Sequence, residues 1–238
     1  MKKLGVIGGL GPMATAYFLE LVAEMTEAKR DQEHIPLVVS SNPETPDRTR
    51  FILGVSDLDP YPYLLKAGRD VKALGAEIIT VPCNTAHFFH AKLENDLQLP
   101  VIHLIRETAK YLKQAGITKA GIMATDGTVQ TGLYQKELLA CGIESVVPDS
   151  ASQEGVMHII YQNVKAGLPP EMPKFNGIAD KLRQNGAQVV ILGCTELSVI
   201  KRGRRLGSGF IDAMEVMAKE AITRCGAPLK AGYENLIS

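Results

Sequence analysis

Short unbroken apolar runs alternate along the chain with longer stretches in which apolar positions recur every three or four residues. Leu4 to Ile7, Ile35 to Val39, the run ending in Cys83, Pro100 to Leu104, Lys119 to Ala124, Glu144 to Val147, the run ending in Cys194 and Phe210-Ile211-Asp212 read as strands. Between them the spacing predicts helices over Pro12 to about Lys29, Tyr61 to Leu74, Thr85 to Glu94, Arg106 to Gln114, Thr131 to Cys141, Gln153 to Lys165, Gly177 to Gln184, onward from Thr195, and Ala213 to Cys225. Apolar strand runs without polar alternation belong to parallel sheets covered on both faces, so the pattern predicts an α/β protein. Residues Gly226 to Ser238 carry no such pattern and are expected to be loosely ordered.

One stretch occurs twice. Gly75-Ala76-Glu77-Ile78-Ile79-Thr80-Val81-Pro82-Cys83-Asn84-Thr85 returns as Gly186-Ala187-Gln188-Val189-Val190-Ile191-Leu192-Gly193-Cys194-Thr195-Glu196. Each is a buried strand ending in a thiol, and Lys119 to Ala124 restarts the pattern of Leu4 to Gly9. The expected architecture is two pseudo-equivalent three-layer α/β/α lobes with mainly parallel sheets, one cysteine on each wall of the cleft between them. In such sheets ligands sit beyond the carboxyl ends of the strands. A lone cysteine is commonly a small core residue, a reading that explains one thiol more easily than two at matched positions. Two acid/base groups facing each other across a cleft suit the removal of a proton from one face of a carbon and its return to the other.

Composition narrows the classes. The 238 residues carry no net charge, which removes any general reason to expect nucleic acid or a membrane surface as partner. Four cysteines, Cys83, Cys141, Cys194 and Cys225, are too few and scattered for a disulfide framework, so a reducing cytoplasm is expected. Cys141 and Cys225 fall in apolar helical contexts and read as structural. Lys2-Lys3 before a short apolar run resembles a secretory leader, but the glycines and Pro12 fit a strand running into a turn instead.

That turn, Gly8 to Gly11 before a helix opened by Pro12, could hold an anion on its amides. Gly9-x-Gly11-x-x-Ala14 also fits the dinucleotide fingerprint, but Ser40-Ser41-Asn42 stands where the acidic residue of the second strand belongs, so no dinucleotide is expected. The two-proline loop Asn42 to Arg50 carries Arg48, whose planar fork matches a carboxylate, beside Arg50, which reads as a solvated charge. A helix opening right after Cys83 would favour its thiolate. His87 and His90 lack partners at metal-ligand spacing, and His87 is placed only as a neighbour of Cys83. Tyr161 and Lys165 share one helical face, where spacing alone makes Lys165 an ordinary basic residue near a helix end. Lys201 to Arg205 reads as a solvated basic loop.

Gly8-Gly9-Leu10-Gly11-Pro12-Met13-Ala14-Thr15, Asn42-Pro43-x-x-Pro46-Asp47-Arg48-Thr49, Pro82-Cys83-Asn84-Thr85-Ala86-His87 and Gly193-Cys194-Thr195-Glu196, in this order, resemble the aspartate/glutamate racemase family. The resemblance implies a cofactor-independent racemase of an acidic amino acid, aspartate foremost, in which Cys83 and Cys194 are the two acid/base residues, and no metal is expected because the cysteines lack partner ligands. It places substrate contacts at Arg48, Asn84, Thr85, Ala86, Thr125, Lys165, Thr195 and Glu196, and implies a homodimer in which residues 102–208 form a lobe inserted into a first lobe of residues 1–101 and 209–238. Arg50 and the basic, glycine-rich stretch 203–209 depart from the family pattern. Relatives that handle other substrates keep one or both cysteines, so the thiol pair speaks for proton transfer more than for substrate. A dicarboxylate isomerase or decarboxylase with a nucleophilic cysteine, and a non-catalytic two-lobe carboxylate binder, are the competing readings.

Overall fold

The computed structural model describes residues 1–238. Seven strands form two all-parallel sheets: β1 (Leu4–Gly8), β2 (Leu37–Ser41) and β3 (Ile78–Thr80) in the order β2-β1-β3, and β4 (Lys119–Ala124), β5 (Glu144–Val146), β6 (Val189–Gly193) and β7 (Phe210–Asp212) in the order β5-β4-β6-β7. Eleven helices connect them: α1 (Pro12–Met25), α2 (Arg48–Ile52), α3 (Tyr61–Ala73), α4 (His90–Leu97), α5 (Leu104–Gln114), α6 (Asp126–Gln130), α7 (Leu133–Ala140), α8 (Ser150–His158), α9 (Met172–Gln184), α10 (Thr195–Gly203) and α11 (Ala213–Cys225).

Successive side chains of a strand point to opposite faces, and in β1, β3, β4, β6 and β7 both faces are buried, whereas β2 and β5 at the sheet edges stay partly exposed. Leu4, Val6 and Ile78 of the first sheet and Ala120, Ile122, Val189 and Ile191 of the second enter one shared core with Phe18, Leu112, Met217 and Ile222 of α1, α5 and α11. The alternate residues face outward into separate cores. Ile7 and Ile79 meet α3 and α4, while Met123, Val190 and Leu192 meet Phe175, Ile178 and Leu182 of α9. The α/β/α layering expected from the sequence is therefore present in both lobes, with the inward helices fused into a common middle.

The repeated stretch occupies equivalent places. Ile78 pairs with Leu4 as Val189 pairs with Ala120, and Gly75 and Gly186, each just after a helix, have φ of 87° and 92°. Both positions therefore need the left-handed backbone that glycine tolerates.

Several expectations are corrected. Pro100 to Leu104 is not a strand: only Val101 bridges Ile79, because Pro100 lacks an N–H and α5 starts at Leu104. The predicted helix over Thr85 to Glu94 is a tight turn at Thr85–Phe89 followed by α4; the one over Thr131 to Cys141 is α7, opened after Gly132, whose φ is 68°, and the short α6 precedes it where only a turn was expected. The helix predicted from Gln153 starts at Ser150 and widens into a π-helical turn over Ile159–Val164.

The strand Phe210–Asp212 pairs with β6 of the second sheet, whereas α11, which follows it, lies on α1 and α5; residues 209–238 thus do not stay together in the first lobe. Nor is the tail loose. Leu229 bridges Thr26, Ile237 bridges Ile211, and the Ser238 amide donates to the Phe210 carbonyl at 3.0 Å, because these residues complete a free strand edge and bury Leu236. The basic stretch is partly absorbed into α10, where Lys201 reaches Glu215 at 2.8 Å and Arg202 reaches Glu20 at 3.2 Å. No helix is long and apolar enough to cross a membrane.

Candidate active site

Five strands deliver their carboxyl ends to one place. β1 runs into Gly9 to Gly11, β2 into the loop carrying Asp47 and Arg48, β3 into Cys83-Asn84-Thr85, β4 into Thr125, and β6 into Cys194-Thr195-Glu196. Gly9 permits this crowding: a Cβ there would lie 2.4 Å from the Asn42 amide nitrogen, so the glycine serves loop-on-loop contact. Cys83 and Cys194, both 6% exposed, line the same small gap of about 10 Å³. Arg48, Asn84, Thr85, Thr125, Lys165, Thr195 and Glu196 line it with them. Ala86 does not; it is 1% exposed and packs into the outer core of the first lobe, so its methyl serves packing.

The two sulfurs have opposite neighbours. Beside Cys83 lies Arg48, buried and fixed: Nη1 donates to the carbonyls of Thr45 and Pro46 at 3.3 and 3.1 Å, and Nη2 donates to that of Leu10 at 3.0 Å. Burial pushes the Arg48 guanidinium down, yet the neighbouring Cys83 sulfur and Asp47 leave it raised overall. Cys194 instead donates its S–H to Oε2 of Glu196 at 2.9 Å. Burial and then the Glu196 charge push the Cys194 thiol well up, against the smaller pull of Lys165. The geometry thus distinguishes a sulfur next to a cation from a sulfur hydrogen-bonded to a carboxylate.

Polar side chains tie the lobes together around the gap. Thr85 Oγ1 lies 2.9 Å from Thr125 Oγ1 and 3.0 Å from Thr128 Oγ1 across the cleft. Tyr134 donates to Asn84 Oδ1 at 2.6 Å, while Asn84 Nδ2 and Arg48 Nε are buried donors without a partner. The π-helical turn sets Lys165 and Tyr161 facing the first lobe, with the ammonium 4.3 Å from the ring centre. Such turns recur where a helix presents functional side chains. Tyr161 donates to Asp47 at 3.0 Å, and Lys165 lies 3.6 Å from Asp47 and 4.0 Å from Glu196. Asp47 and Tyr134 were not singled out from the sequence, and Tyr161 was noted only as a neighbour of Lys165. Arg50 stays exposed, offering its backbone amide to the Asp47 cap.

His87 stands behind Cys83. Its Nε2 accepts from the Leu104 amide at 3.1 Å, so Nδ1 carries the hydrogen and donates to the Cys83 carbonyl at 2.9 Å. The Ile102 carbonyl, 3.3 Å from the same Nε2, is left as an unbonded neighbour. With both nitrogens engaged, His87 positions the backbone of Cys83 and is not free to bind a metal. Burial pushes it down to about 4, from the ordinary histidine value. The unfolded chain then binds a proton that the native state refuses, so stability is full above about pH 6.5 and falls as pH drops towards 4. Glu215, raised to about 7 by burial and then by Asp212, has the opposite slope. Urea midpoints of wild type and His87→Gln should therefore be compared across this window, where the acid-side loss attributable to His87, on the order of 3 kcal/mol, is expected to vanish in the variant.

A family model described as Asp/Glu/Hydantoin racemase matches residues 7–221. The chain belongs to that family. Its fold is similar to that of Picrophilus torridus aspartate racemase, with a TM-score of 0.86 at 30% identity over 98% of both chains. Among curated relatives, the broad specificity amino-acid racemase RacX of Bacillus subtilis (strain 168) is 23% identical over 92% of this chain and 96% of its own length. Glutamate racemase of Limosilactobacillus reuteri (strain DSM 20016) is 26% identical over 72% of this chain and 71% of its own. The resemblance carried by the glycine, arginine and two cysteine motifs is thus borne out at the level of family and fold.

Proposed function

We propose that this member of the racemase family interconverts the enantiomers of an acidic amino acid, aspartate foremost, by proton transfer between Cys83 and Cys194 without an organic cofactor or metal. The observation that carries the reading is the pair of unlike thiols on one gap. A carboxylate accepting an S–H keeps the proton on that sulfur, as Glu196 does for Cys194, and leaves the sulfur beside the Arg48 cation as the proton acceptor. Cys83 is thereby the base and Cys194 the acid for one enantiomer. Cys83 takes the α-proton from one face, Cys194 delivers its own to the opposite face, and the pair ends with Cys83 protonated and Cys194 ionised, ready for the other hand. The unpartnered Nδ2 of Asn84 and Nε of Arg48 suit the substrate carboxylate, which takes up charge as the α-carbon becomes carbanion-like.

A gap of about 10 Å³ admits no amino acid, so entry requires Asp47 to part from Tyr161 and Lys165. A side-chain carboxylate of the substrate then competes with Asp47 and Glu196 for the Lys165 ammonium. Truncating Lys165 to alanine should weaken aspartate binding by about 1.5 to 3 kcal/mol more than alanine binding. Equal effects on the two substrates would return Lys165 to a purely structural part.

The reading is tested in heavy water. Early product of the opposite hand should carry deuterium, whereas recovered substrate should not, because separate thiols serve the two faces. Deuterium in unreacted substrate at low conversion would point to a single base instead. The homodimer implied by the resemblance and the cytoplasmic location expected from the cysteine content belong to the same proposal, and light scattering checks the first.

A further inference from the structure

Tyr134, in α7, has no exposed surface and belongs to the core shared by the two sheets. It touches the neighbour of each cysteine. Its hydroxyl donates to Oδ1 of Asn84, the residue after Cys83, at 2.6 Å. Its ring lies against Gly193, the residue before Cys194, where a Cβ would come within 2.9 Å of the tyrosine Cε2. The repeat departs from itself at this point, for Pro82 stands in the first lobe where Gly193 stands in the second. Glycine at the second position leaves room for the aromatic ring behind the Cys194 turn.

A side-chain amide has a donor end and an acceptor end of nearly equal size, so packing alone does not choose which end faces the gap. The phenol chooses. Burial, and then the Asp212 charge, hold the Tyr134 hydroxyl well above the ordinary tyrosine value, so it keeps its hydrogen and needs an acceptor. Thr108, the other hydroxyl beside it, spends its own hydrogen on the Leu104 carbonyl at 2.9 Å. With Oδ1 of Asn84 engaged by the phenol, Nδ2 is left as a buried donor without a partner. Turned round, the amide would offer a carbonyl oxygen to the gap, and an oxygen acceptor repels a carboxylate where an NH2 group binds one.

We infer that Tyr134 is a positioning residue of the reaction, whose hydroxyl fixes the Asn84 amide with its NH2 end free for the substrate carboxylate. The inference rests on the racemase reading, because Asn84 serves the same substrate as the two sulfurs. Tyr134 comes from the second lobe and Asn84 follows β3 of the first, so the amide is held in this sense only while the lobes are docked.

The test is a double-mutant cycle on aspartate racemisation with wild type, Tyr134→Phe, Asn84→Ala and the double variant, each rate taken per folded molecule. Phenylalanine keeps the ring against Gly193 and removes only the hydroxyl. In Tyr134→Phe, kcat is expected to fall about tenfold or more while KM changes by less than about threefold, since the amide acts on charge that develops in the transition state. With Asn84 already alanine, the same substitution should lower kcat by less than about twofold, because no amide remains to be oriented. Equal factors in the two backgrounds would overturn the inference and make the hydroxyl a core contact alone, and so would an unchanged kcat in Tyr134→Phe. Amide NMR reads the same point without activity. The side-chain NH2 signals of Asn84, assigned by their loss in Asn84→Ala, are expected to be a single sharp pair in wild type and to broaden or double in Tyr134→Phe. An unaltered pair would overturn the inference. Signals that behave as expected in a protein that does not racemise aspartate would defeat the racemase reading and leave the positioning of the amide in place.

Discussion

Cys194→Ala should lose racemase activity by roughly 10³-fold or more, and Cys83→Ala by a similar factor, since each removes the acid/base group of one face. The two losses should differ in kind. Without Cys194, Cys83 can still take and return a proton on its own face, so slow solvent exchange should survive for one enantiomer with its configuration retained. Without Cys83, the surviving exchange should belong to the other enantiomer. Each variant should remain folded. The sulfurs border the gap, Glu196 keeps Lys165 as an ionic partner 4.0 Å away, and Cys83 makes its hydrogen bonds through the backbone. Cys141→Ala and Cys225→Ala, whose sulfurs do not line the gap, should stay active. Chiral chromatography with exchange of each pure enantiomer reads both effects, and wild-type racemisation by Cys194→Ala would remove the two-wall scheme.

Arg48→Ala should have the second-largest effect, because one 7% exposed side chain joins two loops and one thiol. Its guanidinium satisfies the carbonyls of Leu10, Thr45 and Pro46, which water reaches poorly at that depth. Stranding buried acceptors costs about 1 to 3 kcal/mol each, so a stability loss of at least about 3 kcal/mol is expected, read as a lower urea midpoint. Per folded molecule, kcat/KM should fall a further hundredfold or so as the cation beside Cys83 disappears. Arg48→Lys restores charge without the planar fork and should recover only part of both losses. A variant destabilised as expected but fully active per folded molecule would make Arg48 a pin for the loops and nothing more.

The strands, the matched glycines and the two sulfurs were legible because they rest on local information. Gly75 and Gly186 mark helix ends, and apolar runs mark buried strands whatever surrounds them. Contacts between distant segments were not legible. Asp47 looked like a loop acid, yet it caps α2 and receives Tyr161 from the other lobe. Tyr134 looked like an ordinary helical aromatic, but the docking of α7 brings its hydroxyl to Asn84. Ala86 sat inside a recognised motif, and only packing shows that its methyl turns away from the gap. The pairing of Phe210–Asp212 with the second sheet depends on which free edge lies nearest when the chain returns, information that no local pattern holds.

The unlike surroundings of the two sulfurs carry a thermodynamic constraint. Mirror-image amino acids have equal free energies in water, so the equilibrium constant of their interconversion is unity and kcat/KM must be identical in the two directions. Arg48 beside one thiol and Glu196 beside the other therefore cannot make the enzyme a better catalyst for one hand at low substrate. Their asymmetry can appear only as a common factor that multiplies kcat and KM together for one enantiomer relative to the other. Whichever enantiomer meets the resting protonation state should show the lower KM and, by the same factor, the lower turnover number.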